Sequence, residues 1–432
     1  MDNSNNEIPK SRTSSLLFMA TKIAVKEGKS WLESKADKKL LKMMAQADIM
    51  VNHVGQLKGA AMKAVQMISI EAQDLLPPEV LQILEKLQSQ APPLSNEVMK
   101  EALKAELGDE LFLDIKELSK DPIASASIGQ VYQAKIAGES VVIKIQYPGV
   151  ADSVDSDLKV LKKLTQTLLF VSRKEINIDE LFTELTRVLK METDYLNEVK
   201  SLQQYGELLK NSTQYRIPKV YPKYCTNKII VLSAEDGVEL TEWIKSNPSM
   251  KQKEEIGQNL LNLYMEEFFT NHLVQTDPNP ANFLVNKKNQ LVLLDFGATV
   301  SYQKSFVKDY QSLLRAVFQE SDPVILEKIA GLGFLSSKES DEVKTEFVEF
   351  MKLSLLPFDK DRQPFDFSTH EYPEQVRQGV FSFTRKLKYS PPPSQIIFLH
   401  RKLGGIFQLL RKLEVQIDLT TYRKKILNCE LN

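Results

Sequence analysis

Apolar positions change period several times along the chain, and each change marks an element. Val54, Leu57, Ala61, Val65 and Ile68 recur at three- and four-residue steps, which predicts a helix with one stripe packed inward. Gln56, Gly59, Lys63 and Gln66 form a second, polar stripe rotated away from the first. Helical patterns extend from about Ser14 to Ala72, with breaks near Gly28 and Gly55. Leu76-Pro77-Pro78 and Ala91-Pro92-Pro93 then punctuate short helices, the last from Asn96 to Leu107. Between Gln130 and Ile145 the pattern becomes strand-like. Two β-branched runs flank Ala137-Gly138-Glu139-Ser140, a hairpin signal. A long helical pattern follows from Asp179 to Leu209, then a strand at Lys228–Leu232. Leu260–Asn271, with Leu261, Tyr264, Phe268 and Phe269, reads as a core helix. Beyond Gly297, helical patterns recur at Ser305–Phe318, Pro323–Ala330, Asp341–Leu353, Glu374–Leu387 and Ser394–Leu413. Pro391-Pro392-Pro393 sets the start of the last one. Gly404-Gly405 inside it predicts packing against the backbone of another helix.

These elements divide the chain into a polar, disordered tail (1–12), a helical extension (13–108), a small lobe (109–233) and a mostly helical large lobe (234–432). The expected class is α+β. At 432 residues with 42% hydrophobic content, the chain can bury a large core. Its 56 basic and 57 acidic side chains leave a formal net charge of −1, which argues against a general nucleic-acid binder. Cys225 and Cys429 lie far apart, and His53, His272, His370 and His400 are scattered. No disulfide framework or zinc spacing follows. No apolar stretch approaches the roughly 18 residues of a membrane-spanning helix. Leu16–Ala20 is too short for a secretory core, and Asp2 and Glu7 disfavour an organelle-targeting peptide. A cytoplasmic protein is expected. The lysine-rich Lys22–Lys42, carrying Trp31 and Leu32, reads first as an amphipathic surface helix and second as a peripheral contact with an anionic membrane.

The chemistry concentrates between Gln275 and Gly297, QTDPNPANFLVNKKNQLVLLDFG. Asp277 precedes Asn282 by five positions, and Asp295 opens an Asp-Phe-Gly triplet thirteen positions further on. Phosphoryl transfer needs these groups: one carboxylate to orient the attacking group, an amide and a second carboxylate to hold Mg²⁺ on nucleotide phosphates. The intervening hairpin is expected to return Asp295 opposite Asn282. Upstream, Lys144 sits in the strand Val141-Val142-Ile143-Lys144, where a lysine can hold α- and β-phosphates. Asp194 and Glu198 are four apart and predicted to share a helix face, while Glu192 points elsewhere. Glu198 is the expected partner of Lys144, against the alternative that these acids are simply solvated.

Some familiar kinase features are missing. No glycine-rich loop precedes Lys144. Ala124-Ser125-Ala126-Ser127 stands there instead, a stiffer turn whose N–H groups and hydroxyls can still receive phosphate oxygens. Gln275-Thr276 replaces His-Arg. No Ala-Pro-Glu follows Gly297, and helix resumes near Lys304, leaving little room to dock a peptide.

Together, the alanine-rich segment, Lys144, Glu192-Thr193-Asp194-Tyr195-Leu196-Asn197-Glu198, the Asp277–Asn282 segment and Asp295-Phe296-Gly297 resemble the UbiB-type atypical kinase family, the AarF relatives, over roughly residues 50 to 410. That family's K-x-G-Q motif has its counterpart in Lys63 and Gln66, with Val65 in place of the glycine. The resemblance implies a bilobal protein-kinase-like fold that binds ATP and Mg²⁺, with the helical extension covering the active-site cleft. It implies that Lys63 lies near Glu192 and Asp194, limiting access to the γ-phosphate, and that Glu235-Asp236-Gly237 forms the hinge at the adenine edge. It further implies ATPase or small-molecule kinase activity, not protein phosphorylation in trans, in support of ubiquinone or related isoprenoid-lipid biosynthesis. The partners implied are the quinone lipid and its biosynthetic enzymes. A catalytically weak, nucleotide-gated lipid-binding or scaffold protein is the alternative.

Overall fold

Helix α1 (Ala60–Glu71) shows at once how the sequence stripes are used. Ala60, Ala61, Ala64, Val65, Met67 and Ile68 are all buried, and alanine's small side chain lets the flanking helices approach closely. The computed structural model describes residues 60–71, 94–126, 128–171, 178–386 and 394–428, with 76, 77, 80, 81, 84 and 176. The expected features before residue 60, Ser127, the proline runs at 92–93 and 391–393, and Cys429 lie outside the described residues. Two compact units are formed: Met1–Ala134 with Ile143–Thr193, and Lys135–Val142 with Asp194–Asn432.

In the first unit follow α2 (Asn96–Asp114), β1 (Ile115–Lys116), β2 (Ala124–Ala126), β3 (Gly129–Ile136), β4 (Glu139–Gln146), α3 (Val150–Val171) and α4 (Asp179–Glu192). Ser95 caps α2 by accepting from the Val98 N–H, and Gly108, at φ 76°, kinks it. Helix α2 therefore continues beyond the expected stop at Leu107, through the kink to Asp114. Helix α1 packs against both α3 and α4. Helix α3 was not expected; its buried Val150, Val154, Leu158, Leu161 and Leu164 supply the face that meets α1. Strands β3 and β4 form the expected hairpin, turning at Ala137 (φ 51°) and Gly138 (φ 83°). Two successive positive φ values match the twist of the flanking strands.

The second unit holds that hairpin's tip and then α5 (Tyr195–Leu208), β5 (Tyr215–Arg216), β6 (Ile229–Ser233), β7 (Val238–Glu239), α6 (Leu240–Lys245) and α7 (Met250–Met265). It continues through β8 (Leu273–Gln275), β9 (Phe283–Val285), β10 (Leu291–Leu293), β11 (Thr299–Ser301), α8 (Lys304–Gln319), α9 (Asp322–Gly331) and α10 (Asp341–Ser354). Last come β12 (Phe365–Asp366), α11 (Glu371–Lys386), α12 (Ser394–Leu413), β13 (Gln416–Ile417) and α13 (Thr420–Leu427). The small sheets run β5-β10-β9-β7, β11-β8 and β12-β13. Helix α7 packs on α12, α8 on α9, and α10 on α11. At the centre Phe268 is fully buried, with the rings of Phe269, Tyr302 and Tyr310 at 4.9, 5.2 and 5.4 Å.

Three further expectations need correction. The single helix from Asp179 to Leu209 is two helices, because Asp194 leaves helical geometry and its carboxylate accepts from the Asn197 N–H at 3.0 Å. Asp194 is thus an N-cap, not a mid-helix partner of Glu198. The helix expected over Leu260–Asn271 ends at Met265 and passes into a π turn, Glu266–Thr270. Ala124–Ala126 is not a loop but an edge strand, paired antiparallel with Gly129–Val131. Among the described residues, no helix is long and apolar enough to cross a membrane.

Candidate active site in the second unit

Strand β8 delivers the polar segment. It pairs antiparallel with β11, Gln275 opposite Thr299, and the Thr276 hydroxyl and N–H both donate to the Ala298 carbonyl, at 2.7 and 2.8 Å. The chain then turns through Asp277, Pro278 and Asn279 into a short 3-10 turn, Pro280–Asn282. Asn279 Oδ1 accepts from the Ala281 N–H, which sets that turn. Asn282 Nδ2 donates to Asp277 Oδ2 at 3.0 Å, so the five-residue spacing does bring both side chains together. The β9–β10 hairpin pairs Phe283 with Leu293, and the Leu294 N–H donates to the Asn282 carbonyl. Asp295 is thereby returned beside Asn282, as the spacing predicted, and both line one small pocket. Asp295 Oδ1 also accepts from the Gly297 N–H at 2.9 Å, fixing the turn that sends Phe296 inward. Phe296 is fully buried with its ring 4.5 Å from Tyr205.

The rear of this pocket is a buried polar network that sequence spacing did not reveal. Lys402 of α12 is 1% exposed; its Nζ donates to Gln275 Oε1 at 2.8 Å and lies 3.5 Å from Glu267 Oε2. Gln275 Nε2 in turn donates to the Asp277 carbonyl at 2.9 Å. The Tyr205 hydroxyl donates to Glu267 Oε1 and accepts from the Gln275 N–H, both at 2.9 Å. Burial pushes the Glu267 carboxyl above its ordinary range, against the opposing pull of Lys402 and the Tyr205 hydroxyl. Burial also drives the Tyr205 hydroxyl well above its usual pKa, reinforced by the negative charge of Glu267. Next along α12, Arg401 Nη2 lies 3.8 Å from Asp277 Oδ1. Gly405 comes so close to Pro278 that a β-carbon there would sit 2.1 Å from the ring. The expected close approach at Gly404-Gly405 is therefore real at Gly405 only, and its partner is this loop, not a helix.

Other predicted residues are distributed over both units. In the first, Lys63 Nζ pairs with Glu192 at 3.4 Å, with 10% and 13% of the side chains exposed. Gln66 lies on the same part-buried side of α1, and Val65, at the motif's glycine position, is fully buried. Lys144 is part-buried on the β4 face opposite the buried Ile143 and Ile145. Ala124 and Ser125 are exposed and Ala126 part-buried. In the second unit, Glu198 is 2% exposed in the first turn of α5, seven residues before Tyr205 and so on the same face. The Glu235 carboxylate accepts from Arg216 and from the Ser233 hydroxyl, both at 2.7 Å. Gly237 lets that segment lie against β9, since a β-carbon would meet Leu284 at 2.8 Å.

The donor set suits a metal carried on a nucleotide. Asn282 uses its Nδ2 on Asp277 and so offers Oδ1 beside the Asp295 carboxylate. Among the described residues no cluster of three or more His, Cys, Asp or Glu side chains could hold a metal by itself. One carboxylate with an amide oxygen fits Mg²⁺, which keeps phosphate oxygens and waters as its other ligands.

Known proteins carry the same pattern. The ABC1 atypical kinase-like domain matches residues 86–328, more than half of the chain. The atypical kinase COQ8, mitochondrial, of Saccharomyces cerevisiae is 32% identical over 392 residues, covering 90% of this chain and 77% of that protein. Its Schizosaccharomyces pombe counterpart is 32% identical over 426 residues, 96% of this chain and 69% of that one. The solved structure of Rv3197 from Mycobacterium tuberculosis, in complex with erythromycin, superposes with a TM-score of 0.61 at 21% identity, covering 92% of this chain and 98% of that one. That likeness supports the α+β, protein-kinase-like fold. With its loop, triplet and fold in agreement, this chain belongs to the ABC1 atypical kinase-like family, alongside the COQ8 and UbiB proteins.

Proposed function

We propose that the chain binds Mg-ATP over the pocket lined by Asn282 and Asp295, with Asp277 beside Asn282, and either hydrolyses it or phosphorylates a small molecule, in support of ubiquinone or related isoprenoid-lipid biosynthesis. One observation carries this reading: Asn282 is bonded to Asp277 at 3.0 Å while Asp295, from the far end of the hairpin, lines the same pocket. In this reading Asn282 and Asp295 hold Mg²⁺, whose charge offsets that building up on the phosphates. Asp277 orients the attacking hydroxyl or water. Lys144 binds the α- and β-phosphates, and Glu198 orients Lys144. The Ala124–Ser127 segment covers the phosphates, and the backbone at Glu235–Gly237 meets the adenine. Lys63 and Gln66, with Glu192 and Asp194, restrict access to the γ-phosphate. Only residues 296–303 separate Asp295 from α8, a stretch too short to dock a peptide, which favours a small acceptor. Quinone lipids and their biosynthetic enzymes are the proposed partners, with placement in the cytoplasm and peripheral contact with a membrane.

Two experiments test the proposal. Mg-ATP at a hundred times its dissociation constant stabilises a folded protein by about 2.7 kcal/mol. Thermal unfolding should therefore shift upward with Mg-ATP in the wild type, and much less in Asp295→Ala or Lys144→Ala. No shift in the wild type ends the nucleotide reading. Quinone levels in a strain lacking the protein, restored by wild type but not by Asp295→Asn, would support phosphoryl chemistry. Rescue by Asp295→Asn would assign the protein a scaffolding role instead.

A further inference from the structure

One turn of α12 touches the Asp277 loop at three separate atoms, and no basic side chain occurs within that loop. From Gln275 to Asn286 the sequence reads QTDPNPANFLVN, without lysine, arginine or histidine. The positive charge beside Asp277 comes from Arg401, whose Nη2 lies 3.8 Å from Oδ1. At that distance the contact is a charge interaction, not a hydrogen bond. It is sheltered, with the two side chains 25% and 17% exposed. Asp277 Oδ2 is occupied by Asn282, and Oδ1 also receives the Asn279 N–H at 3.4 Å. The carboxylate is thus held from the loop on one side and from the helix on the other. Lys402, one residue on, reaches the same aspartate by another route. Its Nζ donates to Gln275, and Gln275 donates to the Asp277 main-chain oxygen. Gly405 completes the turn by admitting the Pro278 ring against the helix backbone.

We propose that this turn of α12 is a positioning device for the Asp277 loop, in which Arg401 sets the carboxylate and Lys402, through Gln275, sets the main chain. Neither residue needs to touch substrate. Two independent anchors on one residue leave it little freedom before any nucleotide arrives, the preorganisation that phosphoryl transfer depends on. The kinetic side of this inference rests on reading Asp277 as the residue that orients the acceptor; the structural side does not.

Hydrogen exchange on the nucleotide-free full chain separates the two anchors. The Asn279 amide donates to Asp277 Oδ1 and so reports the carboxylate's position directly. Arg401→Gln should speed exchange of the 277–282 amides about threefold or more, and Arg401→Lys should restore most of the protection. In an Asp277→Asn background, Arg401→Gln should add nothing, because its target charge is gone. Gln275→Leu, which cuts the relay but leaves Lys402 paired with Glu267, should speed exchange in both backgrounds. With Mg-ATP, Arg401→Gln should lower kcat about tenfold while KM for Mg-ATP stays within about twofold. Unchanged exchange in Arg401→Gln, or an effect equally large in Asp277→Asn, overturns the proposal. A wild type that binds no Mg-ATP, yet shows this exchange pattern, ends the kinase reading and supports the positioning device.

Discussion

Removing Lys402 while leaving Glu267 should be among the most damaging single changes in the second unit. Both side chains are 1% exposed, with Nζ and Oε2 3.5 Å apart. In an effective dielectric of about 20, two unit charges at that separation attract by about 5 kcal/mol. Much of this offsets the cost of burying them, so the net worth of the pair is small. Breaking it is different, because one buried charge then has no partner, at a cost of about 3–5 kcal/mol. Lys402→Met should therefore lower the melting temperature by roughly 10 °C, given about 2–4 °C per kcal/mol for a unit of this size. Glu267→Gln should cost a similar amount, since Lys402 is then buried beside a neutral amide. The double variant should lose much less than the sum, because the amide introduced at position 267 still accepts from Tyr205 and no charge remains. The Lys402→Met penalty should also depend on pH. Burial already holds the Glu267 carboxyl above its unfolded value of about 4.5. A group raised in this way contributes its stability below the unfolded pKa and loses it as pH rises. The penalty should hence grow from pH 5 to pH 8, measured by thermal unfolding without nucleotide. Strictly additive losses in the double variant, or single losses below about 1 kcal/mol, would refute the idea of a tightly coupled buried pair.

Other consequences are equally direct. Gly405→Ala places a β-carbon 2.1 Å from the Pro278 ring, and a displacement near 1 Å should cut Mg-ATP turnover about a hundredfold. Its neighbour Gly404 has nothing within 4 Å, so Gly404→Ala should leave turnover intact and stabilise the helix by about 0.5–1 kcal/mol. His400 faces the Tyr310 hydroxyl at 2.9 Å, and burial lowers its pKa from 6.5 to about 4. Its contribution, about 3 kcal/mol, is present above pH 6.5 and is lost as pH falls toward 4, so His400→Gln should flatten the melting-temperature profile across that window. Lys63→Ala and Glu192→Gln remove opposite ends of one sheltered ion pair; each should change Mg-ATP affinity or autophosphorylation in the same direction, and unchanged values in both would refute the gating role.

What could be read from the sequence was whatever depends on short separations along the chain. The five-position step from Asp277 to Asn282 is closed by a tight loop ending in the Pro280–Asn282 3-10 turn, and the hairpin after it has a fixed register, so Asp295 had to return beside Asn282. Helix α12 was placed to the residue because the three prolines before it cannot be accommodated inside a helix. The misses share a different cause. Asp194 suits a helix interior by periodicity, yet its carboxylate bonds more readily to the Asn197 N–H, and the long helix breaks there. Alanine and serine suggested a loop at 124–126, but pairing with β3 overrode that local preference. In α3 the charged residues Asp152, Asp155, Lys159 and Lys163 crowd the pattern, and the apolar stripe emerges only in packing against α1 and α4.

The hidden half of the site follows from the π turn at Glu266–Thr270. An uninterrupted α-helix would carry Glu267 on its regular 3.6-residue register, whereas the wider turn shifts the residues after Met265 round the axis. The turn leaves Glu267 1% exposed, within reach of Tyr205 and Lys402. No spacing rule could pair it with Lys402, 135 positions away in sequence, because only packing of α7 against α12 brings them together. The same packing sets Arg401 beside Asp277 and Gly405 against Pro278. The groups proposed to hold the metal and orient the acceptor are thus encoded in a short continuous segment, while the groups that fix their geometry are encoded in a distant helix. A substitution near residue 402 can consequently disable the pocket while every motif residue remains in place.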